Sequence, residues 1–165
     1  STHLGHSFPT RRSSDLLAKA AEQRYDEFST GKMQFLNYLP AQPDKDTDPV
    51  TREFSDFYRT PRGIHIPQGR TLELTQNRAL TSEVRFVSFY PFNDIETISP
   101  RPLLFIAGDQ AHSKEFSEDA YKRAAEPKEL VWVPGAGHVD LYDRVNLIPW
   151  NTLSSFYTRH LTAIG

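Results

Sequence analysis

The sequence contains no cysteine. That excludes disulfides, thiolate nucleophiles and cysteine metal sites. It also lacks an excess of either charge: Lys and Arg total 19, Asp and Glu 21, for a net charge of -2. No broad positive field exists to gather nucleic acid or anionic lipid, so neither is an expected partner. No apolar run approaches the roughly 20 residues that span a bilayer. The first residues carry no apolar segment of the signal-peptide kind. No membrane is expected as a partner, and the expected location is cytoplasmic.

What is present has the composition of an ordinary globular domain. The chain has 165 residues, 38% hydrophobic and 24% charged. Residues 1–16 read STHLGHSFPTRRSSDL and show no periodicity. The run from His6 to Leu16 resembles one reading frame of a widely used DNA-sequencing adapter. Residues 1–16 are therefore expected to be an artefactual, disordered leader, with the natural N-terminus lying upstream. Residues 17–98 read as a helical, lid-like segment, and residues 99–165 as part of a sheet-bearing core.

Leu16, Leu17, Ala20, Ala21 and Tyr25 recur at helical spacing and predict a helix over Asp15–Phe28, closed by Gly31. Gln34–Leu39 is a short apolar stretch, followed by a polar loop. Asp48 before Pro49 predicts a capped helix to about Tyr58, with Glu53 adding acid to its first turn. Phe54, Phe57 and Tyr58 share one of its faces. Thr60–Arg70 reads as irregular. Thr71–Phe89 is mixed, with a helix near Thr81–Phe86, and Asn93–Ile98 is a short helical turn.

The last third is clearer. Pro102–Ala107 (PLLFIA) is a continuous apolar run closed by Gly108, as expected of a strand buried on both faces. Ser113–Ala125 reads as a helix, Glu129–Val133 (ELVWV) as a second strand, Gly135–His138 as a tight loop and Leu153–Leu161 as a closing helix. This is the grammar of an open parallel sheet, an α/β fold. In such sheets, functional groups collect at the carboxyl ends of the strands. One strand end offers Asp109, the other His138. Acid then histidine is the order of the last two members of an α/β-hydrolase triad, whose serine comes first.

The blocks SPRPLLFIAG, AHSKEFSEDAY, EPKEL and GAGHVDLYD, spanning Ser99–Asp143, resemble the C-terminal part of the α/β-hydrolase superfamily. More narrowly, they resemble its dienelactone-hydrolase-like, YcjY-type branch. A weaker likeness continues back through Phe57–Gly63. The resemblance implies the last two strands of a hydrolase sheet, with the preceding segment lying over the site as a lid. It implies His138 as general base and an acid after the first strand to orient it. Asp109 is the first candidate for that acid. The superfamily pattern places the acid slightly later, where this sequence has Ala111, so Glu115 and Glu118 are fallbacks. Ser113 reads as a helix cap, His112 as solvated or capping, and Asp140 and Asp143 as the start of the next helix. A bland alternative packs His138 against Tyr142 or Trp150. His112, His138 and Asp140 lack a recognisable metal-ligand spacing.

No Gly-x-Ser-x-Gly elbow or near variant occurs in the sequence. The expectation is therefore a fragment of a serine hydrolase for carboxylic esters or related acyl bonds, its nucleophile missing from this chain. The alternatives are a non-catalytic binding module on the same fold and an Xaa-Pro-peptidase-like hydrolase. The implied partner is a small-molecule ester or acyl substrate, and no cofactor is implied. An uncovered sheet edge would favour self-association. Phe54, Phe57, Tyr58, Phe86, Phe89 and Tyr90 are expected in the core more than in an acyl pocket.

Overall fold

A computed structural model describes residues 10–36, 39–40, 42–72 and 77–161. These residues fall into two compact units. One runs to Pro40 and resumes over His65–Phe89; the other takes the chain to Ile64 and from Tyr90 onward. Residues up to Ile64 include a helix whose side chains meet the loops that follow the C-terminal strands. Among the described residues no helix is long and apolar enough to cross a membrane.

The first unit is built on helix α1, Thr10–Thr30. It begins before the expected Asp15, so Thr10–Leu16, read as disordered leader, is helical; residues 1–9 lie outside the described residues. Gly31 ends the helix as expected. Its φ of 69° suits glycine, and its N–H donates to the Glu27 carbonyl at 2.9 Å. Strand β1, Phe35–Leu36, pairs antiparallel with β2, Arg78–Ala79. Helix α3 follows at Ser82–Val87, with Thr81 Oγ1 donating to the Glu27 carboxylate at 3.2 Å. The helix between β1 and β2 in chain order, α2 (Pro49–Tyr58), belongs to the second unit.

That helix, α2, covers Pro49–Tyr58. Asp48 caps it, accepting from the Val50 and Thr51 amides at 3.1 and 3.0 Å, while Pro49 fills a position where no N–H is needed. Glu53 lies beyond the first turn, contrary to expectation, and turns its carboxylate to other work described below. After a 3-10 turn at Ile95–Ile98 comes β3, Leu103–Gly108. Helix α4, Lys114–Arg123, returns the chain to β4, Lys128–Val133. The strands run parallel, in register from Leu103 opposite Lys128 to Gly108 opposite Val133. A parallel pair needs such a crossover, because a tight turn cannot reverse the chain twice.

Ile95, Ala120 and Ala124 form the core beneath β3, with Phe92, Ile98, Leu103 and Phe105 packed against them. Small residues on α4 let the helix approach the sheet. The strands are less buried than their sequences predict: only Gly108 and Val133, at their ends, are fully buried. The reason is that each strand has one neighbour among the described residues, which leaves an outer edge on both. Helix α5 is a single turn, Asp140–Asp143, and α6 closes the chain over Trp150–Leu161.

Candidate active site

Because β3 and β4 are parallel and in register, both loops emerge at the same end of the sheet. Gly108 is what allows them to pass. A Cβ there would sit 2.1 Å from the Ala136 carbonyl oxygen and 2.9 Å from that of Gly137. The loop after β4 thus crosses directly over the last residue of β3. The Gln110 amide donates to the Ala136 carbonyl at 3.0 Å and ties the two loops together. Gly135, with φ of 73°, makes the turn that brings His138 back over the strand ends.

His138 is half-buried. Its Nδ1 lies 2.5 Å from Ser113 Oγ, and its Nε2 lies 3.4 Å from the Tyr142 hydroxyl. Phe54 of α2 stands edge-on to both histidines, its ring centroid 5.3 Å from that of His138 and 5.3 Å from that of His112. The two imidazoles are 4.6 Å apart, centroid to centroid. Burial holds the His138 ring below the usual histidine value; the neighbouring His112 adds to this, and the Glu53 carboxylate opposes it. The shift favours the uncharged ring, the form that can accept a proton. Burial, with Tyr58 and Glu53 nearby, pushes the Tyr142 hydroxyl up, so it keeps its proton.

The sequence candidates fare differently. Asp109 follows β3 as expected, but its Oδ1 accepts from the Gly135 amide at 2.8 Å and from the Gln110 side chain at 3.1 Å. Among the described residues no bond joins it to the imidazole. The fallbacks Glu115 and Glu118 are exposed on α4 and do not reach the ring. Ser113 occupies the N-cap position of α4 yet makes no side-chain cap bond, contrary to expectation. It points at His138 instead. His112, expected to be solvated or capping, is exposed and lies tilted beside His138 with its Nδ1 3.9 Å from Glu53 Oε2. Trp150 does not pack on His138; its indole N–H donates to the Val145 carbonyl at 3.0 Å. Tyr142 does pack there, as the bland alternative has it, with ring centroids 6.1 Å apart.

Sequence reasoning missed two residues. Glu53 Oε1 accepts from the Val139 amide at 3.2 Å, which fastens α2 to the histidine loop. Arg62, from the segment after α2, binds both oxygens of Asp143, with Nε–Oδ2 at 3.0 Å and Nη2–Oδ1 at 2.8 Å. It also reaches Asp140 at 3.3 Å and Asp56 at 2.5 Å. Such forked pairing suits a guanidinium and a carboxylate. Asp140 and Asp143 do begin the helix after His138, but they serve Arg62 as well as solvent. The Asp140 carboxylate also accepts from the Gly137 amide at 2.8 Å. No short-range pattern announces these partners; the acidic pair flanking the histidine block was the available hint.

A cleft of about 770 Å³ lies elsewhere on α2, lined by Pro43, Arg52, Ser55, Asp56 and Arg59 among others. It contains neither histidine, and Glu53 alone belongs both to its wall and to the histidine cluster. The chemistry of the site therefore points to the strand ends, where the imidazoles are, and not to this cleft.

No family model matches the sequence. Over 142 residues the chain is 40% identical to the uncharacterized protein PA2218 of Pseudomonas aeruginosa, covering 86% of this chain and 33% of that protein. Over 123 residues it is 29% identical to the uncharacterized protein YcjY of Escherichia coli, covering 73% of this chain and 38% of that protein. The chain thus spans about a third of the length of these curated relatives. The crystal structure of PA2218 superposes with a TM-score of 0.80 at 35% identity, over 94% of this chain and 47% of that one. The α/β hydrolase GrgF from Penicillium sp. sh18 matches with a TM-score of 0.69 at 19% identity, over 93% of this chain and 51% of its own. At that identity the likeness concerns the fold: the chain carries part of an α/β-hydrolase architecture.

Proposed function

We propose that this chain is the C-terminal part of a serine hydrolase acting on carboxylic esters or related acyl bonds, of the dienelactone-hydrolase-like branch, and that His138 is its general base. The observation that carries the reading is the placement of His138: a half-buried imidazole on a glycine-rich loop at the carboxyl end of β4, with Nδ1 2.5 Å from Ser113 Oγ.

In this reading a serine supplied from upstream of the present sequence attacks the acyl carbon. Its proton passes to Nε2, and the carbonyl becomes an oxyanion. When the tetrahedral adduct collapses, the C–O bond to the alcohol breaks and the Nε2 proton goes to the departing oxygen. Water then repeats the sequence on the acyl-enzyme with the same base. Asp109 has an indirect part: it holds the Gly135 turn and so fixes where the histidine loop leaves the sheet. Phe54, against both imidazoles, keeps water from one side of the ring.

A fluorophosphonate probe tests this on a chain extended upstream to the length of its curated relatives. The expected result is labelling of one serine in the upstream part, lost in His138→Ala. An extended protein that stays unlabelled while folded would favour a non-catalytic binding module. Turnover of simple esters against proline-containing peptides separates an esterase from an Xaa-Pro-type peptidase.

A further inference from the structure

We propose that Ser113 is the positioning residue for His138, taking the place a carboxylate would hold: its Oγ accepts the Nδ1 proton and leaves the Nε2 lone pair free. The inference rests on His138 being a base, and it names what keeps the ring in the useful tautomer.

Three observations carry it. The contact of Ser113 Oγ with Nδ1, at 2.5 Å, is the shortest polar contact of the ring, against 3.4 Å on the Nε2 side. Both nearby carboxylates are spent on backbone amides, Asp109 on Gly135 and Glu53 on Val139. Ser113 also forgoes the cap bond its position at the start of α4 would favour. A serine at an N-cap that leaves its helix uncapped to reach a histidine has been given another partner. On the other side of the ring the Tyr142 hydroxyl lies 3.4 Å from Nε2, and a phenol can either donate to that nitrogen or accept from it.

The consequence is chemical. A neutral hydroxyl orients the imidazole but does little to stabilise its protonated form, whereas a carboxylate does both. The groups facing the ring are His112, Glu53 of α2, and Tyr142 of α5; Asp140 lies next to the same loop through the Gly137 amide. Of these, His112 works against the protonated ring and Glu53 for it. Burial is the largest influence and also works against the protonated ring, so the base is set below the usual histidine range.

Nitrogen-15 NMR of the His138 ring in this chain reads the tautomer directly, with no turnover required. A failure to find esterase activity would leave this result standing, and the reverse. In the unaltered protein the proton is expected on Nδ1. Ser113→Ala should give a mixture of tautomers, and Ser113→Thr should restore the single form. Ser113→Asp should keep Nδ1–H and raise the ring's titration midpoint by about one pH unit. A proton on Nε2 in the unaltered protein, or tautomer and midpoint both unmoved in Ser113→Ala, would overturn the proposal. So would fluorophosphonate labelling of Ser113 itself, which would make that oxygen a nucleophile.

Discussion

The two loops at the end of the sheet invite comparison. Both follow a strand that ends in a buried residue, and both carry a residue suited to acid–base chemistry within a turn of the strand. After β4 the conspicuous residue, His138, is the one that enters the site. After β3 the conspicuous residue, Asp109, bonds backbone and stays out, while Ser113, a turn later at the start of a helix, reaches the ring. Proximity to a strand end is thus not sufficient for a role in the site. The first residue past a strand lies beside the neighbouring loop's backbone, and its side chain is readily consumed in holding that loop. A residue one turn on has space to reach across.

The comparison breaks most severely at the point where the loops cross. Gly108→Ala places a methyl group against backbone atoms of Ala136 and Gly137 that no side-chain rotation can move. A loss of about 3 kcal/mol is expected in urea denaturation, at the upper end of the usual cost of overpacking. An unchanged midpoint would mean that the crossing is looser than described.

Asp109→Ala should come next. The Gly135 amide loses its acceptor in a partly solvated place, for a cost of about 1 kcal/mol. The His138 tautomer should stay as it is, which sets this variant apart from Ser113→Ala. A change of tautomer in Asp109→Ala would restore the aspartate as the orienting acid.

Arg62→Met should lower the melting temperature by a few degrees, because α5 loses the group that gathers Asp140 and Asp143. Arg62 also holds the Asp143 carboxyl below the usual carboxylate range. That part of the stability is whole above the unfolded value of 3.8 and lost as pH falls through the folded one. The acid limb of the melting curve should therefore flatten in the variant.

How much of this was legible in the sequence follows from the range of each signal. The Asp48 cap, the Gly31 stop, the apolar runs of β3 and β4 and the place of His138 all depend on residues close together in the chain. The Ser113–His138 contact spans 25 residues, and the Glu53–Val139 and Arg62–Asp143 contacts span 86 and 81. The last two pairs exist because α2 and the segment after it lie beside the histidine loop and α5, which no local pattern in residues 49–62 encodes. A carboxylate reads as a first-turn acid and a serine as a cap until the tertiary fold gives each a better partner. The strands misled in a related way: their apolar runs describe burial on every side, and among the described residues the sheet has two strands.

The smallest effects concern the charge of the ring. Glu53→Gln removes a nearby group that favours protonated His138, so the ring's midpoint should fall further below the histidine value. A rise would show that the carboxylate does not act on the ring as described. In the unaltered protein the unfolded chain binds a proton near 6.5 and the folded chain binds it only at lower pH. His138 therefore contributes stability that is whole above 6.5 and is lost as pH falls through the folded value. His138→Gln should remove that dependence from a series of denaturation curves taken between about pH 7 and pH 5.

The most direct test of the account is ester turnover by the upstream-extended protein with and without the imidazole at position 138. His138→Ala should fold normally and lose at least about a thousandfold in kcat/KM for a p-nitrophenyl ester. A folded His138→Ala protein that turns the ester over at the original rate would contradict it.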